Sequence, residues 1–262
     1  MKPKIYVANN NAELIENVRT YLAERLNYLL EQNGTIGIGV SGGSMPKIFT
    51  EAILSIPNLN WKRIRIFMVD ERNVDVSNPD SNQAEYTRLF PEELKDVIVP
   101  VPIFEKDLRR TAQAYELNLR KYLLPELYNN VPRFDLLFLG VGPDGHTASI
   151  FPGKERLEKI TDMNWVSALD DSPKPPPSRV TLTLNTINHA KNVSFIIQGE
   201  GKAEVVRGIL HKDQKYPSSY VRPINDKLVF FLDKGSASTI SLDLDDVGST
   251  PEPESPPPSF EE

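Results

Sequence analysis

The chain has 262 residues, of which 39% are apolar and 25% charged, with no cysteine and a net charge of −6. Such a chain can bury a core without staples, and the lack of cysteine excludes disulfide frameworks, cysteine zinc sites and thiol nucleophiles while fitting a reducing compartment. Residues 246–262 hold five acids and no Lys or Arg, which leaves residues 1–245 at −1, and a nearly neutral body without a basic tract is a poor partner for nucleic acid.

In chain order, Met1 to Val7 runs into polar Asn9-Asn10-Asn11 without a signal-peptide core. No stretch reaches the roughly 18 apolar residues of a membrane span, so a soluble, cytoplasmic protein that makes no membrane contact is expected. Leu14, Ile15, Val18, Tyr21, Leu22, Leu26, Leu29 and Leu30 mark one helix face over 11–31. Thr35 to Val40 is a β-branched run, followed by glycines and a helix from Pro46 to Ile56. Ile64 to Val69 reads as a strand, and 107–124 as a helix with Leu108, Ala112, Tyr115, Leu119 and Leu123 near one face. Phe134 to Val141 is nearly all apolar, the pattern of a strand covered on both sides. Strands at Val180–Leu184, Val193–Ile197 and Leu228–Leu232 follow, with a helix over Lys202 to Leu210. This alternation predicts an α/β fold, a mostly parallel sheet with helices on both faces. Residues 1–245 form one expected domain, and the Pro- and Glu-rich 246–262 an expected disordered tail.

Ligands of open α/β sheets bind beyond the carboxyl ends of the strands. Four such ends carry glycine or reactive groups: Ser41-Gly42-Gly43-Ser44-Met45-Pro46, Asp70-Glu71-Arg72, Gly142-Pro143-Asp144-Gly145-His146 and Gln198-Gly199-Glu200-Gly201-Lys202. In the first, Gly42 and Gly43 can aim successive N–H groups at an anion. Ser44 can cap the next helix, whose N-terminus favours phosphate. Gly37 to Gly42 also matches G-x-G-x-x-G, with Asp70 where a ribose acid would sit, but two of its glycines fall inside the strand. Gly39 to Gly43 matches the nucleophile elbow G-x-S-x-G, yet the helix does not start straight after Ser41.

Of the three histidines, His189 reads as a helix end and His211 lies among Lys212 and Asp213. His146 differs, lying two residues after Asp144 in a glycine-rich turn, with a pKa suited to proton transfer near neutrality. Either Asp144 or Asp70 can orient its ring. No zinc-like spacing is present. Arg72, Arg179 and Lys202 are the candidate cations, and together at one rim they predict a phosphorylated small-molecule substrate.

These segments, with Gly140 to Gly153, Ser172-Pro173-Lys174-Pro175-Pro176-Pro177-Ser178-Arg179 and Gly201-Lys202-Ala203, resemble the 6-phosphogluconolactonases in order and over about residues 5 to 235. Met45 departs from the threonine common there. The resemblance implies a three-layer α/β/α, Rossmann-like fold and cofactor-free hydrolysis of a phosphosugar lactone in the oxidative pentose phosphate route, expected of a monomer. It implies His146 as general base, with Ser44, Arg72, Arg179 and Lys202 at the phosphate and carbonyl.

Two alternatives are separable. Glucosamine-6-phosphate deaminases share the Asp-Gly-His turn but follow it with Asn-Glu-Pro, where this chain has Ile150-Phe151-Pro152; a phenyl ring cannot carry the glutamate's proton. A non-catalytic sugar-phosphate sensor would need a DNA-binding segment, for which the five-residue approach to the first strand is expected to leave no room.

Overall fold

The computed structural model describes residues 3–32, 34–123, 131–153, 164–225 and 227–240; the expected 246–262 tail lies outside them. Nine strands lie in the described residues: β1 Lys4–Ala8, β2 Ile36–Val40, β3 Ile64–Met68, β4 Asp70–Arg72, β5 Leu136–Leu139, β6 Val166–Leu169, β7 Arg179–Leu182, β8 Val193–Ile197 and β9 Leu228–Asp233. The described helices are α1 Asn11–Glu31, α2 Met45–Leu54, α3 Asn82–Leu89, α4 Leu108–Tyr122, α5 Leu184–His189 and α6 Ala203–Leu210. Six strands form a sheet in the order β1-β9-β8-β5-β2-β3, and every pairing in it is parallel. No helix among the described residues is long and apolar enough to cross a membrane.

The central strands form where every position is buried. All five residues of β2, β8 and all four of β5 are buried, as parallel strands with two covered faces require. Register and ring contacts assign those faces. Gly39, Phe67 and Leu137 are aligned in one row, and Val40, Met68 and Phe138 in the next; adjacent rows point to opposite sides. Phe138 meets Tyr21 of α1 and Phe49 of α2, whereas Phe67 meets Tyr122 of α4. Helices therefore cover both sides, giving three layers.

Gly37 and Gly39 belong to this packing. A Cβ on Gly37 would lie 2.2 Å from Leu123 Cδ2, and one on Gly39 2.2 Å from Leu137 Cδ2. Both glycines serve close approach inside the strand, which removes the dinucleotide match from consideration.

The Val180–Leu184 strand is present as β7 but does not join the parallel sheet. It is the centre of a second, antiparallel sheet of order β4-β7-β6. The chain leaves β3 at Val69, whose N–H donates to the Val40 carbonyl and whose carbonyl accepts from Leu182 N–H, so one residue joins the two sheets. β4 has three residues and no apolar one, too short and too polar for periodicity to reveal.

Glu71 explains why that polar strand is stable. Its buried carboxylate accepts from the N–H groups of Arg72, Asn82 and Gln83 and from Ser81 Oγ, at 2.7–3.1 Å. It thus closes the N-terminus of α3, where a negative charge meets unpaired N–H groups. Glu71→Ala strands those buried donors, and urea unfolding is expected to show a loss of about 3 kcal/mol, with Glu71→Gln intermediate because one acceptor oxygen remains.

Candidate active site

The four functional strand ends are neighbours in the sheet, because β8, β5, β2 and β3 are consecutive in its order. Their loops open on one cleft of about 140 Å³ lined by Ser41, Gly42, Gly43, Ser44, Asp70, Arg72, His146, Arg179 and Lys202, among others. Distances in sequence of more than 150 residues collapse here because parallel strands present all their carboxyl ends on one edge.

After β2, the loop is held by its backbone. Ser41 N–H donates to the Phe138 carbonyl at 3.1 Å, and its own carbonyl accepts from Tyr86 Oη at 2.8 Å. Gly43 takes φ +72°, and a Cβ on Gly42 would lie 2.0 Å from Asn82 Oδ1. Asn82 is itself fixed by donating to the Asp70 carbonyl at 2.8 Å. Ser44 stands at the head of α2 with helical backbone angles, and its side chain makes no capping bond. The expected cap is therefore replaced: a cap side chain reaches back only from an extended backbone, so the first N–H groups of α2 are not used by Ser44. Ser41 Oγ and Arg72 Nε, both buried in the cleft wall, have no hydrogen-bond partner among the described residues.

The loop after β5 folds around His146. Gly142 N–H donates to the His146 carbonyl at 2.9 Å, and Gly145, at φ +78°, donates to the Gly142 carbonyl at 3.0 Å. This tight turn brings His146 Nδ1 to 2.5 Å from Asp144 Oδ1. A Cβ on Gly142 would lie 2.1 Å from two atoms of the imidazole and 2.5 Å from Asp144 Oδ1, so no other residue leaves room for the pair. Phe151 stacks on the opposite surroundings of the ring, with centroids 4.6 Å apart and planes 29° apart. Ala148, at φ +51°, returns the chain so that Phe151 reaches this position.

Electrostatics set the protonation of the pair. Burial lowers the His146 pKa below 6.5 and the Lys174 charge adds to this, outweighing Asp144, which favours the charged ring. Burial raises the Asp144 carboxyl, but the hydrogen bonds and charge of His146, helped by Lys174, hold it below 3.8. A carboxylate accepting from Nδ1–H leaves Nε2 unprotonated at neutral pH, as a base requires.

Asp144, not Asp70, is therefore the carboxylate on His146. Asp70 accepts from Ser149 Oγ at 2.6 Å and faces Arg179 Nη1 at 4.0 Å, beneath the cleft. Arg179 is 4% exposed and donates from Nε to the Pro176 carbonyl and from Nη2 to those of Lys174 and Pro175. Most of its donors hold the proline-rich loop. Arg72 spends one N–H on the Asp80 carbonyl. Lys202 precedes α6, and burial, then the nearby Lys174 charge, lowers its pKa. Lys174, Phe151, Asn82 and Ser149 escaped the list of candidate residues. Phe151 was noted only as the replacement of a glutamate, and Lys174 carried the signal of being the sole cation within the proline-rich 172–178. His189 bonds the Asn185 carbonyl at 2.7 Å and His211 ends α6; neither lines the cleft. Among the described residues no group of three or more His, Asp or Glu is placed to hold a metal.

Gly142→Ala is expected to fold normally by circular dichroism while displacing the imidazole. A displacement near 1 Å costs roughly 100-fold in rate, measurable as kcat on the substrate of the cleft.

A model of the family glucosamine-6-phosphate isomerases/6-phosphogluconolactonase matches residues 9–230. A putative 6-phosphogluconolactonase of Caenorhabditis elegans is 65% identical, over 98% of this chain and 94% of its own. The 6-phosphogluconolactonase of Rattus norvegicus is 34% identical over 91% and 94%. Among solved structures, 6-phosphogluconolactonase from Trypanosoma brucei superposes with a TM-score of 0.77 at 31% identity, covering 92% of this chain and 99% of that one.

Proposed function

The chain belongs to the glucosamine-6-phosphate isomerase/6-phosphogluconolactonase family, and we propose that it hydrolyses 6-phospho-D-glucono-1,5-lactone to 6-phospho-D-gluconate. The observation that carries this is the pairing of His146 with Asp144 in a cation-lined cleft, with Phe151 against the ring. A deaminase needs a carboxylate where Phe151 stands. The named relatives support the same choice.

The reaction follows from the geometry in two steps. His146 Nε2 takes a proton from water as the water oxygen bonds to the lactone carbonyl carbon, and the imidazolium so formed is stabilised through Nδ1–H by Asp144. The tetrahedral intermediate then breaks its bond to the ring oxygen, which leaves with the proton returned by His146. No cofactor takes part in either step. The lactone already hydrolyses in water, so positioning and one base suffice.

The cradle of Gly42, Gly43 and Ser44 receives the phosphate at the head of α2. Arg72 adds its free Nε–H and Nη2, and Lys202 faces the same charge across the cleft. Asp70 and Arg179 act from below, fixing Ser149 and the loop that carries Lys174. We read residues 1–245 as one catalytic domain, and the protein as a monomer. The cytosol is the compartment that suits the pathway and the cysteine-free composition.

Initial rates of lactone disappearance, corrected for spontaneous hydrolysis, test the reading. His146→Gln is expected to lose roughly 10²- to 10⁴-fold in kcat; a rate equal to wild type rejects the mechanism, and ammonia release from glucosamine 6-phosphate would restore the deaminase. The base works unprotonated and its pKa is depressed, so kcat/KM should rise with pH and reach its plateau through a midpoint below 6.5. Arg72→Ala should raise KM roughly 10- to 100-fold, the worth of a charged hydrogen bond, with a smaller change in kcat.

A further inference from the structure

Lys174 is the charged group that the mechanism above leaves without a task. Its place is fixed from both ends. Ser172 N–H donates to the Pro177 carbonyl at 3.2 Å, and Ser172 Oγ bridges the N–H and carbonyl of Lys174. Buried Arg179 donates to the carbonyls of Lys174, Pro175 and Pro176, and each proline fixes its own φ. The loop is thus a stiff strap tied down by one guanidinium.

At its tip, Lys174 Nζ lies 3.3 Å from His146 Nδ1 and 3.6 Å from Asp144 Oδ2, with the Phe151 centroid 5.9 Å away. An ammonium has no lone pair, so it cannot accept from Nδ1–H. It pairs as an ion with the second oxygen of Asp144, and toward the ring it acts as a charge. The groups facing His146 are Asp144 from its own loop, Asp70 from β4 and Lys174 from the strap; Arg179 lies beyond, 5.7 Å from the Phe151 ring centroid. Two of the three favour the imidazolium. Lys174 alone opposes it.

We propose that Lys174 is a positioning residue for the proton cycle, holding Asp144 by its outer oxygen in line with the imidazole and driving the proton from His146 onto the departing ring oxygen. A base tuned by carboxylates alone takes the proton of water readily and then keeps it. The ammonium beside the ring makes the imidazolium a stronger acid, and the anchored strap keeps that charge in place through the cycle. The direction of the His146 pKa accords with this geometry. The proposal rests on the lactonase reading for its second half, the return of the proton.

The test uses the full chain with Lys174→Met, which keeps the length and removes the charge, and Lys174→Arg, which keeps the charge. The Lys174 side chain is 43% exposed, so both are expected to fold. NMR titration of His146 without substrate should show its pKa raised by about one unit in Lys174→Met and near wild type in Lys174→Arg. On the lactone, Lys174→Met should lose roughly tenfold in kcat with KM within about twofold, and its acid limb should move up with the titration. An unchanged His146 titration, or a loss confined to KM, overturns the proposal, as does a shifted titration with unchanged kcat. Failure of the wild-type chain to hydrolyse the lactone would reject the lactonase reading instead, and the substrate-free titration would still decide whether Lys174 acts on the pair.

Discussion

The hydrogen bond between His146 Nδ1 and Asp144 Oδ1 at 2.5 Å is the interaction on which the arrangement of the site depends. A half-buried imidazole without a partner could adopt either tautomer and either ring orientation. Bonded to a carboxylate two residues earlier, it has one of each. The cost is steric: two side chains and a sharp turn share the space that a side chain at 142 would occupy. Gly142 provides that space, and Gly145 supplies the left-handed backbone the turn needs. The rigid end of β5 then carries the pair to the sheet edge.

Around that pair, the surroundings balance attraction against desolvation. Phe151 covers the ring with apolar surface, and burial pushes the imidazole toward its neutral form. Asp144 pulls the other way, and Lys174 restrains both. Beneath them, Asp70, Ser149 and Arg179 form a buried polar layer whose members satisfy one another, as buried polar groups must. Arg179 thus contributes a charge to the cleft wall and most of its hydrogen bonds to the strap. Arg72 and Lys202 line the cleft above this layer, and Lys174 stands beside the imidazole.

Legibility in the sequence followed the length and apolar content of each element. Helix α1 was readable to the residue, because its apolar positions repeat one buried face over twenty-one residues; the structure adds Asn10 as its cap. Strand β8 was equally plain, since four of its five residues are apolar and polar neighbours bound it. β4, β6 and α3 were not visible. β4 is polar throughout and is held by the Glu71 carboxylate; β6 has two half-exposed positions of four; α3 buries only Asn82 and Tyr86. Their stability comes from partners distant in sequence, which no local pattern records. For the same reason β7 was legible as a strand but not as part of a second sheet.

The sequence by itself determined the parallel core and singled out His146 and the four strand ends that meet at the cleft, because runs of buried residues and glycine-rich turns are local properties. It also supplied the substitution of phenylalanine for a proton-carrying glutamate. Only the tertiary structure decided between Asp144 and Asp70, since both were chemically competent and distance alone separates them. Only it showed that Ser44 makes no capping bond, that Arg179 anchors the proline-rich loop, and that Lys174 stands beside His146. Each of those roles depends on which groups meet across the sheet edge, and that meeting is fixed by strand order rather than by any single segment of the chain.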